Sequence, residues 1–164
     1  MDWIRQIGRY IVVMLLQVLF FDQLQLLGVC HPYIYVLCLL MMPITLPHSI
    51  DLLIGAALGL VMDVFCNSLG VHMCACVLIM LIRPYLLGTI VNDKDRLNEQ
   101  ISLRVLGWEA LIKYVIVLVL IHHFCVFMLS AWHWHHLVFV LLSTVVSSIV
   151  TISVIFGYNA LKYK

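Results

Sequence analysis

The sequence predicts an all-α integral membrane protein, one polytopic domain of six transmembrane helices, on three observations. The first is composition: 65% of the residues are hydrophobic and 10% charged, against about 25% charged in soluble domains, and mean hydropathy is +1.13. The second is the form of the apolar stretches. They run unbroken instead of alternating in polarity, which excludes a β-barrel and selects helices, whose backbones satisfy themselves in lipid. The third is charge placement. Of the nine Lys and Arg residues, all but Arg83 fall on one side once the chain is divided into six spans. A formal net charge of +1 points to no nucleic acid and no acidic partner.

The six spans are Tyr10–Leu27, Tyr33–Leu46, Ile50–Cys66, Gly70–Val91, Trp108–Leu129 and His136–Tyr158. A crossing helix needs about 20 apolar residues, which the first, fourth, fifth and sixth supply easily. Arg5 and Arg9 before the first span suggest a signal sequence. No small-residue cleavage site follows at Phe20–Gln23, so the segment is expected to be a retained span. The second span is short and ends at Pro43 and Pro47, and the third carries Asp51 and Asp63 near its ends.

Arg5 and Arg9 precede the first span, and Lys94, Arg96 and Arg104 lie between the fourth and fifth. Lys113 sits just inside the fifth, and Lys162 and Lys164 follow the sixth. The opposite loops, Gln23–Pro32, Asn67–Leu69 and Ser130–His135, contain neither Lys nor Arg. The positive-inside rule then sets both termini in the cytoplasm. The one sizeable hydrophilic segment, Asn92–Gly107, has Leu97, Ile101 and Val105 opposite polar residues. It reads either as an interfacial amphipathic helix or as a charged turn.

In the third span Asp51, Gly55, Gly59, Asp63 and Asn67 recur every four residues, which keeps them on one helical stripe. Glycines at this spacing allow helices close approach. Acids in a membrane raise a proton-relay reading, but these two are too far apart for direct transfer, so packing is favoured. Arg83, followed by Pro84, stands inside the fourth span, where Arg costs roughly 2.5–3.5 kcal/mol on insertion scales. It needs a partner, and Asp51 is nearer in depth than Asp63. An Asp51–Arg83 tether is expected, with snorkelling to the interface as the alternative. Pro84 also frees a backbone carbonyl near Met80.

Ser143, Ser147 and Thr151 form a hydroxyl stripe on the sixth span, and Gln17 lies mid-way along the first. Both read as helix–helix contacts. Six cysteines (Cys30, Cys38, Cys66, Cys74, Cys76 and Cys125) lie in or beside apolar segments and read as small packing residues. Trp132–His136 reads as an interfacial anchor more readily than as a metal site, because the loop has no acid or Cys. His122 and His123, inside the fifth span, have no explanation from sequence. No H-E-x-x-H, G-x-S-x-G or phosphate-binding glycine loop occurs, so no catalytic, metal-binding or cofactor-binding residue is assigned. The outer side offers no cation to a phosphate-bearing substrate.

Five short sequences in order carry a family resemblance: Leu15-Leu16-Gln17-Val18, His31-Pro32-Tyr33, Gly55-Ala56-Ala57-Leu58-Gly59-Leu60-Val61-Met62-Asp63, Leu69-Gly70-Val71-His72 and Ile82-Arg83-Pro84-Tyr85. In these the chain resembles, over essentially its full length, the MreD family of bacterial rod shape-determining membrane proteins. His122–His123 and Trp132–His136 match no signature of that family. The resemblance implies a six-helix fold similar to the substrate-binding subunit of energy-coupling-factor transporters. It implies a non-catalytic scaffold without cofactor, in the bacterial cytoplasmic membrane, within the complex that guides peptidoglycan synthesis during cell elongation. The partners it implies are MreC, by direct contact, with MreB, RodA and a class B penicillin-binding protein in the same complex. The alternative is a vitamin-binding transporter subunit, which should show a polar pocket opening outward and Ala-rich helix faces. The first span contains no Ala.

Overall fold

The computed structural model describes residues 3–23, 28–44, 46–90, 103–131 and 137–162, with side chains for 7–23, 28–44, 46–90, 106–131 and 137–161. The described residues form six α-helices and no strand: α1 (Trp3–Leu16), α2 (Val36–Leu40), α3 (His48–Cys66), α4 (Val71–Ile90), α5 (Leu103–Ala131) and α6 (Leu137–Lys162). Four are long and apolar enough to cross a membrane: α3, α4, Leu106–Ala131 of α5 and Leu137–Leu161 of α6. α1 continues into a π-helical turn, Gln17–Phe21, so Ile7–Phe21 forms a shorter apolar helix.

α3, α4, α5 and α6 pack in chain order, each on the next, and α2 lies against α4 and α5. The four-residue stripe of α3 is the face turned inward, since Asp51, Gly55, Gly59 and Asp63 are all buried. Gly59 is where α3 meets the start of α4. A Cβ there would stand 2.5 Å from Met73 Cα and 2.7 Å from the His72 carbonyl oxygen, and one at Gly55 would stand 2.7 Å from Met80 Cγ. At Gly59 the missing side chain lets the two backbones touch, and at Gly55 it makes room for the Met80 side chain. Asn67 ends α3 in the left-handed region (φ 52°, ψ 39°), its amide donating to the Asp63 carbonyl, which is a common helix C-terminus.

Two of the expected spans, the second and the first, need correction, and the fifth gains a short helical lead. The second span, expected over 33–46, is helical only for the five residues Val36–Leu40. Pro32 and Pro43 bracket that stretch. Each removes an N–H and biases its predecessor away from helix. The long helix of the fifth span starts at Trp108, as expected, with a short helical stretch ahead of it. That stretch starts at Leu103 and breaks at Gly107 (φ 72°, ψ 170°), a backbone conformation that suits glycine alone. The first begins at Trp3 and has left regular α-helix by Gln17. Most of the hydrophilic segment, 92–102, and the Trp132–His136 loop lie outside the described residues.

Although irregular, the second segment is the most deeply buried stretch: residues 32–40 are all buried, as are Met42 and Pro43. Non-helical backbone at membrane depth is tolerated only inside protein, where something else must satisfy its polar groups.

Candidate functional site

The candidate site is this central segment, residues 28–44, with the polar side chains that surround it. Its backbone cannot complete a helical ladder, so the partners come from α1, α4, α5 and α6. The Gln17 carboxamide serves three groups: Nε2 donates to the Pro32 carbonyl at 3.2 Å, and Oε1 accepts from the Ile34 amide at 2.6 Å and the Tyr35 amide at 3.3 Å. Ser147 Oγ accepts from the His31 amide at 2.9 Å and donates to the Val29 carbonyl at 3.5 Å. Tyr114 Oη donates to the Leu40 carbonyl at 3.0 Å. The sequence reading assigned Gln17 and Ser147 to helix–helix contacts. The structure corrects that, since both bond the backbone of the intervening segment.

Arg83 completes the set. It is 2% exposed and does not snorkel. Nη1 donates to Asp51 Oδ2 at 2.6 Å, Nε to Tyr114 Oη at 3.2 Å, and Nη2 to the Met42 carbonyl and, at 3.4 Å, to the Pro43 carbonyl. One guanidinium thus ties α3, α5 and the central segment to α4. Asp51 Oδ1 has no partner among the described residues, so the ion pair is a one-point contact. Pro84 lies inside α4 and lines, with His48, Asp51 and Arg83, a pocket of about 200 Å³.

Asp63 has a different task from the packing expected of it. Its Oδ1 accepts from the His72 amide at 2.9 Å and from Ser68 Oγ at 2.6 Å, and Oδ2 accepts from the Met73 amide at 2.9 Å. It caps the N-terminus of α4, whose first amides have no partner within the helix and favour negative charge. The α3 stripe therefore carries three separate functions: ion pairing at Asp51, close contact at Gly55 and Gly59, capping at Asp63.

His122 and His123 gain a reason. Tyr35 Oη lies 2.7 Å from His122 Nε2 and 3.0 Å from His72 Nδ1, with Cys76 Sγ at 3.6 Å. His123 Nδ1 lies 2.9 Å from the Val119 carbonyl and its Nε2 3.2 Å from Thr151 Oγ1. A carbonyl only accepts, so His123 carries its proton on Nδ1 and Thr151 donates to Nε2. His122 Nδ1 is buried without a partner among the described residues. A bare acceptor there costs less than a bare N–H, so we assign Nε2–H of His122 as donor to Tyr35 and the Tyr35 hydroxyl as donor to His72. Tyr33 packs its ring against His72, His122, His123 and Phe127 at centroid distances of 5.0, 5.9, 5.2 and 5.9 Å. Adjacent positions on α5 thus take different hydrogen-bond partners, His122 in the central segment and His123 on α6, while both rings pack against Tyr33.

Of the α6 stripe, Thr151 and Ser147 are engaged in these networks. The Ser143 hydroxyl, fully buried, has no partner among the described residues. At the end away from the chain termini, His31, Tyr33, Phe127, Ser130 and Phe139 line a pocket of about 300 Å³. Burial holds the His31 imidazole below its ordinary pKa, with the Asp22 carboxylate opposing. No set of three His, Cys, Asp or Glu side chains among the described residues is arranged to hold a metal ion.

Compared with known proteins, the chain matches no family model, no curated protein and no solved structure.

The Gln17, Tyr114 and Ser147 contacts to backbone escaped sequence reasoning. Their one signal was the pair of prolines that makes the second span too short to be self-sufficient.

Proposed function

We propose that the chain is a non-catalytic adaptor of the bacterial cytoplasmic membrane, crossing it six times with both termini inside. In this reading it acts as an MreD-like scaffold that binds MreC and helps couple cytoplasmic MreB filaments to the RodA and penicillin-binding protein synthases outside. One observation carries the reading: the polar side chains buried in the bundle are engaged mainly with the chain's own backbone and with each other. Gln17, Arg83, Tyr114 and Ser147 hold the central segment, and Asp63 holds α4. Such an interior builds a rigid body and leaves the outer helix faces to meet partners. The one-sided distribution of Lys and Arg supports the topology.

Co-expression with MreC from the same source, solubilisation and affinity capture of this chain test the proposal. Stoichiometric retention of MreC is expected, and its loss under conditions that keep this chain folded overturns the reading. A second reading, a small-molecule-binding transporter subunit, is favoured by the ring-lined pocket of about 300 Å³ at His31, Tyr33, Phe127 and Phe139. A vitamin carried through the same purification and identified by mass spectrometry would establish it in place of the first.

A further inference from the structure

The pocket beside the Asp51–Arg83 ion pair combines an unmet hydrogen bond with a defined depth. Arg83 Nη1 donates to Asp51 Oδ2 at 2.6 Å, and Oδ1 has no partner among the described residues. Asp51 is 6% exposed, and a buried carboxylate is costly unless its oxygens are bonded. Oδ1 therefore calls for a donor. The pocket of about 200 Å³ that Asp51 lines is where one can enter, between His48 in the first turn of α3 and Leu87 and Gly88 in the last turn of α4. α3 has 19 residues and α4 has 20, just enough to cross about 30 Å of hydrocarbon. Their ends lie at the level of the lipid headgroups, and the pocket opens there. α3 has no side-chain cap among the described residues, so its first amides can attract an anion at the mouth. The exposed His48 stands at the same place.

We infer that this pocket seats the headgroup of a phospholipid that carries a primary ammonium, phosphatidylethanolamine. The ammonium donates to Asp51 Oδ1, the phosphate meets the α3 N-terminus and His48, and the acyl chains stay in the bilayer. Charge selects this class of ligand. The Asp51–Arg83 pair is neutral as it stands, so a lone cation or a lone anion would leave an unbalanced charge in a partly dry site. A zwitterion adds none. A hard metal ion asks for several oxygen ligands, whereas here one carboxylate oxygen is free, beside a guanidinium. Free phosphoethanolamine has the same two charges, but a pocket at headgroup depth meets the lipid form first. The bound headgroup completes the hydrogen bonding of Asp51 and so braces the contact between α3 and α4.

The test uses the full chain in mild detergent and does not depend on the adaptor reading, because it reads bound lipid instead of protein partners. Phosphatidylethanolamine, phosphatidylcholine and phosphatidylglycerol with identical acyl chains are titrated in turn, and the lipid-bound fraction is measured by native mass spectrometry. Phosphatidylethanolamine should bind about tenfold tighter than phosphatidylcholine, whose ammonium has no N–H to give Asp51. It should also exceed phosphatidylglycerol, which has no ammonium. Asp51→Asn should abolish the preference. That change also weakens the Arg83 contact, so Gly88→Phe serves as the second variant. It fills the pocket from an exposed position and leaves the ion pair in place, and should lose the preference while keeping the urea unfolding transition. Equal binding of the three lipids, or a preference that survives Gly88→Phe, overturns the inference. Displacement of the lipid by an equal concentration of soluble phosphoethanolamine would assign the pocket to a free metabolite and overturn it as well.

Discussion

The α3–α4 seam and the central segment solve one problem, a buried backbone in a membrane protein, by opposite means. α3 completes its own hydrogen-bond ladder, and α4 does so except where Pro84 lacks an N–H; glycine then lets the two helices touch. The seam needs only an absence of side chain at Gly55 and Gly59 and one acid, Asp63, for the helix end. Segment 28–44 completes five residues of helix and depends on four foreign side chains for much of the rest. Buried polar side chains in a transmembrane bundle need not mark a path for ions or substrate. Here they are structural substitutes for a missing helix, and their positions follow the irregular backbone.

This contrast can be broken most severely at Arg83. Arg83→Ala leaves Asp51 unpaired and strips the Met42 and Pro43 carbonyls of their donor. A loss of about 3–5 kcal/mol is expected, read as unfolding in detergent by urea titration. The double variant Asp51→Leu with Arg83→Met then asks which role matters. Replacing an ion pair by apolar residues is often close to neutral, so full recovery would reduce Arg83 to an ion-pair partner. Persistent loss, the expected result, assigns it to the central backbone.

Gln17→Leu comes next. It leaves Pro32, Ile34 and Tyr35 without their partner, and buried unpaired groups cost about 1–3 kcal/mol each. Hydrogen exchange should accelerate at the Ile34 and Tyr35 amides while the α3–α4 amides stay protected. Uniform acceleration would mean that the two regions unfold as one. On the other side of the comparison, Gly59→Ala places a methyl group against the α4 backbone. A cost of about 1–3 kcal/mol is expected for such overpacking, with protection lost first at the His72 and Met73 amides. The smallest effect belongs to Ser143→Ala. With no hydrogen bond to lose among the described residues, it should change stability by no more than about 0.5 kcal/mol. A larger loss in the same urea titration would reveal a partner for that hydroxyl.

How much of this was legible in the sequence follows from what letters encode. The α3 stripe could be read because side chains spaced by four share a face of any helix: Asp51, Gly55, Gly59 and Asp63 lie buried, while Asn67, the fifth of the stripe, is exposed at the helix end. The Asp51–Arg83 contact could be argued from charge and depth alone. The acceptors at Pro32, Leu40 and Met42 could not, because a carbonyl oxygen has no letter of its own. Gln17, Tyr114 and Ser147 therefore looked like ordinary interhelical polar residues until the broken path of the second segment was in view. Asp63 looked like packing because its partners, the His72 and Met73 amides, lie across a turn. His122 and His123 acquired meaning only once Tyr35 stood beside them, brought there by a segment whose irregularity no periodicity announces.

The Asp63 cap and the Ser147 clasp also imply an order of assembly. Asp63 reaches its amides across only nine or ten residues, so α3 and α4 can close as a hairpin as soon as both have entered the membrane. His31 waits for Ser147, 116 residues later in the chain. Through most of synthesis the central segment has emerged without its last clasp, its amides unsheltered. During biogenesis it must be shielded by the insertion machinery or held at the aqueous interface until α6 arrives. The segment that ends at the centre of the molecule is the one that settles last.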